Sequence, residues 1–393
     1  FAIEMVYVPE GAFYVGDGNT ADILGVFHTI DTEDPFLVDS EAEITLGGTT
    51  PGNLGNNHDG TGQEAGYEDD YNIGDPSNEQ LLPASFPKGY SSFYIMKYNI
   101  TQEQYVDFLN TLSRAQQQRR TGTNLASHLT SVTSRYVLSI TDTPSSRNGI
   151  RVDYTFPADE PLLFYNDLND DGTPNQFDDG QHLPCNFLAF ADGAAYSDWA
   201  GLRPMTELEY EKASRGSQTP ILNEMAWGEA YDLGVTVIVI EGITNAGENN
   251  ELPTNATANC HINNNDANIN GPVRSGLFST STSDRSKSGA TYYGIMHMGG
   301  NITEQIITTG NPEGRSFDGQ HGNGALSTEG VNDVTNWPGS GSTILGDVVG
   351  AGIRSNSFAS TGVGSRISVR RFVNQSVEGR VRSVGYRAVR SNP

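Results

Sequence analysis

Residues 184–216 read PCNFLAFADGAAYSDWAGLRPMTELEYEKASRG, and two punctuated helices can be read from them. The first begins near Asp192 and ends at Ala200–Gly201, with Gly201 just past the end, where a left-handed backbone favours glycine. The second opens on Thr206, has Glu209 three residues later as a capping box, and stops at Gly216. Towards the N-terminus, FYIMKYNI at 93–100 reads as a strand. Thr101 with Gln104 then forms another capping box, ahead of a stripe of Tyr105, Phe108, Leu109 and Leu112 at helical spacing. FAIEMVYVPEGAFYVG at 1–16 alternates apolar and polar positions, as a strand does, up to Gly16. Beyond Gly216 there are short strands and long polar loops, as 45 Gly and 18 Pro in 393 residues suggest. No repeat of 20–50 residues is present.

The formal net charge of −25 argues against nucleic acid and anionic membrane surfaces as partners, since both require basic patches. The longest apolar run, Val235 to Ile240, is strand-sized, so no transmembrane helix is expected. A first residue of Phe suggests a mature, exported chain whose leader has been removed. Cys185 and Cys260 are the only cysteines; they can form one disulfide or none, and no four-cysteine zinc site.

Charge is uneven along the chain. Residues 1–88 hold 17 acidic side chains and one basic, Lys88, whereas residues 351–393 hold eight Arg and one Glu. The two ends can neutralise each other within one molecule, or the acidic front of one copy can meet the basic end of the next. Residues 17–88 lack periodicity and are too long for an ordinary loop. They are expected to be an acidic, Gly/Asn-rich insertion or arm that something else must hold.

Four stretches together resemble the family of the formylglycine-generating enzyme, or sulfatase-modifying factor. They are 93–110 (FYIMKYNITQEQYVDFLN), 184–216 followed by Ala226-Trp227-Gly228, 294–305 (GIMHMGGNITEQ), and the ending SVRRF (368–372) with VGYRAVR (384–390). The resemblance implies a single domain over 1–393 with an α+β, C-type-lectin-like fold: few helices, short antiparallel sheets and much irregular chain. Residues 17–88 and 114–183 would be insertions. The family includes copper-dependent oxidases, iron-dependent sulfoxide-forming enzymes, ligand-binding proteins and exported bacterial proteins.

The oxidase chemistry needs paired thiolates late in the domain, because soft sulfur ligands select Cu(I). The matching segment, GAGIRSNSFASTGVGSRISVRR at 350–371, contains no Cys. The seven histidines are scattered, with no HxxxH or HExxH pair, and there is no P-loop, dinucleotide fingerprint or GxSxG elbow. The chain is therefore expected not to be an enzyme.

The sharpest local motif lies in the second insertion: Asp167, Asn169, Asp171, Gly172, Thr173, Asn175 and Asp178, spaced D-x-N-x-D-G-x-x-N-x-x-D. Side-chain oxygens at positions 1, 3, 5, 9 and 12, with a backbone carbonyl from Thr173 at 7, suit a hard six- to seven-coordinate cation; Gly at 6 permits the turn. The pattern resembles dockerin and thrombospondin type-3 calcium loops. Asp170 and Asp179 are read as adding charge without ligating. The family resemblance implies a second calcium at Asn301 and Glu304, and a looser one at Asn259 and Asp266.

These readings lead to a non-catalytic structural protein, extracellular or on the cell surface, that binds calcium and assembles with itself head to tail. The alternatives are a module binding glycans or peptides, with Tyr292, Tyr293, Trp337 and Phe358 as candidate contacts, and an enzyme of unknown chemistry.

Overall fold

The computed structural model describes residues 2–18, 25–56, 73, 77, 79–262, 269–343, 345, 346, 348–360, 362–374 and 379–392. The N-terminal alternation yields two strands, Met5–Val8 (β1) and Phe13–Val15 (β2), because the chain turns at Gly11, with φ +142°. Phe27–Thr29 (β3), Phe36–Val38 (β4), Ile44–Gly47 (β5), Leu54–Asn56 (β6), Glu79–Leu82 (β7) and Phe93–Met96 (β8) follow. Next come helices Gln102–Leu109 (α1) and Arg114–Arg120 (α2), then Ile150–Val152 (β9) and Phe164–Asn166 (β10). Phe190–Trp199 (α3), Arg203–Pro204 (β11) and Glu207–Arg215 (α4) occupy the stretch first quoted. Ile243–Thr244 (β12), Leu252–Pro253 (β13), Glu304–Ile307 (β14), Ala351–Arg354 (β15) and Ala388–Ser391 (β16) complete the strands, with single-turn helices at Arg285–Ser288 (α5) and Pro312–Arg315 (α6).

The central sheet runs β1-β8-β16-β11, all antiparallel, so the C-terminal strand is pinned between β8 and β11, two segments far from it in the chain. The short antiparallel pairs expected elsewhere are present, with one exception: β5 meets β6 in parallel at Leu46 and Leu54, inside the sheet β3-β6-β5-β7.

Helices α1, α3 and α4 match their sequence signals. Thr101 and Thr206 cap their helices with reciprocal Gln104 and Glu209 bonds, and Gly201 and Gly216 follow α3 and α4 at φ +67° and +73°. Helix α3 starts two residues before the expected Asp192; its cap residue is Ala189, whose N–H donates to the Asp192 carboxylate at 3.1 Å. Helix α2 went unread because its inward face is Arg114, Gln117 and Arg120, with no apolar stripe. These side chains dock by hydrogen bonds: Gln117 exchanges two with the Leu162 backbone, at 2.8 and 2.9 Å.

The acidic front segment departs from its expectation. Phe27, Val38, Leu46, Leu54, Leu82 and Phe86 are buried in the same core as α1 and α3. Three- and four-residue strands expose one or two apolar positions each to the core, too few to register as a period. Lys88, the segment's one base, is fully buried; its ammonium donates to the carbonyls of Pro83 (2.7 Å), Phe86 (3.1 Å) and Glu41 (3.3 Å). What holds the described parts of 17–88 is thus this chain's own core.

Candidate functional site

Arginines of the segment 350–371 form a buried ion-pair lattice with acids of α4. Glu207, at the first turn of α4, accepts from Arg354 on β15 (3.1 Å) and Arg370 (2.7 Å), and from the Thr309 N–H (2.7 Å). Glu211, one turn later, accepts from Arg354 (2.7 Å), Arg215 (3.2 Å) and the Gly16 N–H (2.8 Å). Arg215 continues to Glu224 at 2.6 Å and to the Ser368 hydroxyl at 2.9 Å. Burial alone would raise the Glu207 carboxyl; Arg370 and Arg354 outweigh it and bring the pKa down to about 2. Arg370 also stacks 3.8 Å over the Phe27 ring and donates to the Gly25 carbonyl at 2.9 Å.

A cavity of about 70 Å³ adjoins this lattice, lined by Ile353, Ser355, Asn356, Arg371 and Phe372 among others. Neither thiol lines it. Cys185 and Cys260 are free and buried, in different apolar clusters. Burial raises both thiol pKa values, with Asp192 adding to the effect at Cys185.

The basic C-terminus is neutralised mainly by acids in the middle of the chain. Arg380 pairs with Asp192 of α3 (2.8 Å) and Arg387 with Glu304 of β14 (2.9 Å), alongside the Arg354 and Arg370 pairs. Intramolecular matching therefore consumes these four arginines. Arg382 and Arg390 are exposed, and their guanidiniums bond the neutral oxygens of Asn270 and Gly201.

Asn301 and Glu304 have separate partners. The Asn301 amide bonds the Val273 backbone twice, at 2.9 and 3.0 Å. Glu304 Oε1 accepts from Arg387 and, at 3.0 Å, from Asn99. Arg387 supplies positive charge at Glu304 Oε1, whereas the buried Oε2 meets no donor among the described residues. Asn259 bonds the backbone of Ile238 (3.0 Å), Thr236 (3.0 Å) and Ser286 (3.1 Å); Asp266 lies outside the described residues.

The insertion loop after β10 has the turn geometry of its motif. The Gly172 N–H reaches Asp167 Oδ2 (3.3 Å), the Asp171 N–H reaches Asn169 Oδ1 (3.0 Å), and the Thr173 N–H reaches Asp171 Oδ1 (2.7 Å). Asn175 sits at φ +56° and accepts from the Asn166 N–H at 3.0 Å. Asp167 is buried and paired with Arg151, which packs over the Tyr136 and Tyr165 rings. Asn169, Asp171, Thr173 and Asn175 are exposed and Asp178 is half-buried; Asp178 accepts from the Asn169 amide at 3.2 Å. Asp179, read as a bystander, is fully buried, and burial together with Asp167 raises its carboxyl pKa to about 6. Among the described residues no three carboxylate, imidazole or thiol side chains converge on one point. The loop's inward carboxylates number two, and residue types alone could not tell position 12 from position 13.

Of the aromatic candidates, Trp337 and Phe358 belong to the interior, whereas Tyr292 is 42% exposed and meets Tyr293 edge-on at 5.0 Å. Among the described residues no helix is long and apolar enough to cross a membrane.

No curated protein matches the chain in sequence. Among solved structures, it is similar to PvdO from Pseudomonas aeruginosa, at 16% identity and a TM-score of 0.40, over 100% of this chain and 95% of that one. It is similar to CarF at 13% identity and a TM-score of 0.37, over 100% and 99% of the two chains. The model of the sulfatase-modifying factor enzyme 1-like domain matches residues 66–392. By that match over most of its length, the chain belongs to the sulfatase-modifying factor (FGE-sulfatase) family.

Proposed function

We propose that this chain is a non-catalytic structural member of its family, acting outside the cell, stabilised by calcium and assembling with copies of itself. The observation that carries the reading is the use made of residues 350–371. Where the family's oxidases need thiolates, Arg354 and Arg370 bind Glu207 and Glu211 in a buried lattice that ties α4 to β15 and to the N-terminal segment. Both cysteines are held in apolar clusters with raised pKa values, the opposite of a reactive thiolate.

Assembly is supported by the charge left at the surface. The sole base of residues 1–88 is buried, while Asp31, Glu33, Asp34 and Glu43 are exposed. In a head-to-tail contact this face meets the exposed Arg382 and Arg390 of a neighbouring copy. Calcium at millimolar extracellular levels fills weak oxygen sites, which fits the insertion loop and a location outside cells.

The test is sedimentation velocity of the full chain in millimolar calcium and in chelator. The reading predicts large species in calcium that shrink on chelation. A monomer in both conditions contradicts assembly, and copper-dependent turnover of a cysteine peptide contradicts the non-catalytic assignment.

A further inference from the structure

Asp167 and Asp179 are both fully buried, and Oδ1 of each carboxylate meets no hydrogen-bond donor among the described residues. Buried carboxylate oxygens are costly without a partner, so two facing one turn require explanation. Their other oxygens are accounted for. Asp167 Oδ2 takes Arg151 and the Gly172 N–H, and Asp179 Oδ2 takes the Gln176 N–H at 2.6 Å. The Gly172 N–H that Asp167 accepts and the Gln176 N–H that Asp179 accepts belong to the same turn, so both carboxylates face it. The neighbouring Asn166, 1% exposed, leaves its amide oxygen equally without a donor. By contrast, Asn169, Asp171 and Asn175 direct side-chain oxygens at the loop's own N–H groups.

We propose that the divalent cation of this insertion sits at Asp167 Oδ1 and Asp179 Oδ1, with the Asn166 amide oxygen as a neutral ligand. The inference rests on the calcium reading above and moves the ligands inward from the twelve-residue set that ends at Asp178. Two carboxylates and an amide oxygen are ligands of the hard class that calcium takes. A cation here offsets the repulsion between two buried carboxylates, of which Asp167 is paired with the Arg151 guanidinium. It also fastens the loop to the β12–β13 hairpin: the Gly180 N–H donates to the Gly247 carbonyl at 3.1 Å, and a Cβ on Gly247 would stand 2.6 Å from the Asp178 carbonyl oxygen.

The experiment compares the full chain with Asp179→Asn and Asp178→Asn. Terbium(III) is bound first, its luminescence excited through Tyr136, whose hydroxyl lies 2.9 Å from the Asp167 carbonyl oxygen. Calcium then displaces it, and melting in chelator checks that each variant folds. The expected result is a tenfold or greater loss of calcium affinity in Asp179→Asn and less than a threefold loss in Asp178→Asn. An equal or larger loss in Asp178→Asn overturns the seat but leaves the calcium reading standing. No saturable calcium binding by the unaltered chain overturns both. Should Asp179→Asn fail to fold, Asn166→Asp decides: tighter calcium binding supports the seat, and unchanged affinity overturns it.

Discussion

Glu207 shows what a single residue does for this molecule. It receives two guanidiniums and three threonine donors with no solvent contact, so its removal leaves buried positive charge uncompensated. Glu207→Gln is expected to cost about 3–5 kcal/mol in a urea denaturation series; a change below about 1 kcal/mol would show that the arginines find other partners. The carboxyl is held below its ordinary value, so the folded state binds its proton less readily than the unfolded chain. Its contribution is present above about pH 4.5 and is lost as pH falls towards about 2. Acid titration of the melting temperature should therefore be flatter in that window for Glu207→Gln. The cysteines make the opposite prediction about reactivity. Burial raises both thiols, so the native protein should leave Ellman's reagent almost untouched and release two thiols in denaturant; rapid native labelling of either would contradict the packed-core placement.

At the scale of elements, the chain was legible where spacing within one helix carries the information. Thr101 and Gln104, or Thr206 and Glu209, announce a helix start because both partners lie three residues apart. Helix α2 carries the same signal in Ser113 and Gln116, but its buried face is polar and offers no stripe. Ser113→Ala should cost about 1 kcal/mol, since the hydroxyl caps that helix; thermal melting checks it. Helix α3 is packed so closely that Gly193 touches the Tyr386 ring: a Cβ there would stand 1.9 Å from Tyr386 Cδ2. Gly193→Ala should therefore destabilise by about 1–3 kcal/mol despite alanine's better helix propensity. A stabilised variant would mean the ring moves freely. The ion-pair lattice was illegible for the opposite reason, since Glu207 meets Arg370 across 163 positions and no spacing rule reaches that far. The insertion loop fell between these cases: its turn was legible from Gly172 and the Asx positions, but which of Asp178 and Asp179 faces inward depends on packing against β10 and Gly247.

Among the described residues a large apolar cluster that holds α1 and α3 lies beside smaller ones, the next largest holding Cys260. Short strands from residues 27–56 and 79–82 lay Phe27, Leu46, Leu54 and Leu82 into the core shared by α1 and α3. The front segment is thus part of the fold, and deleting residues 17–88 should collapse stability, whatever the assembly state. Assembly is better probed by neutralising exposed acids. Asp31→Asn, Glu33→Gln, Asp34→Asn and Glu43→Gln together should leave the melting temperature within a few degrees, because all four side chains face solvent. In sedimentation velocity the same variant should assemble less than the unaltered chain if that face meets a neighbour's arginines; unchanged assembly would place the contact elsewhere. The most direct measurement is negative-stain electron microscopy of the natively isolated protein, in millimolar calcium and again after chelation. Regular filaments or sheets that dissolve on chelation are the expected result, and dispersed single particles in both conditions would contradict a self-assembling, calcium-stabilised subunit.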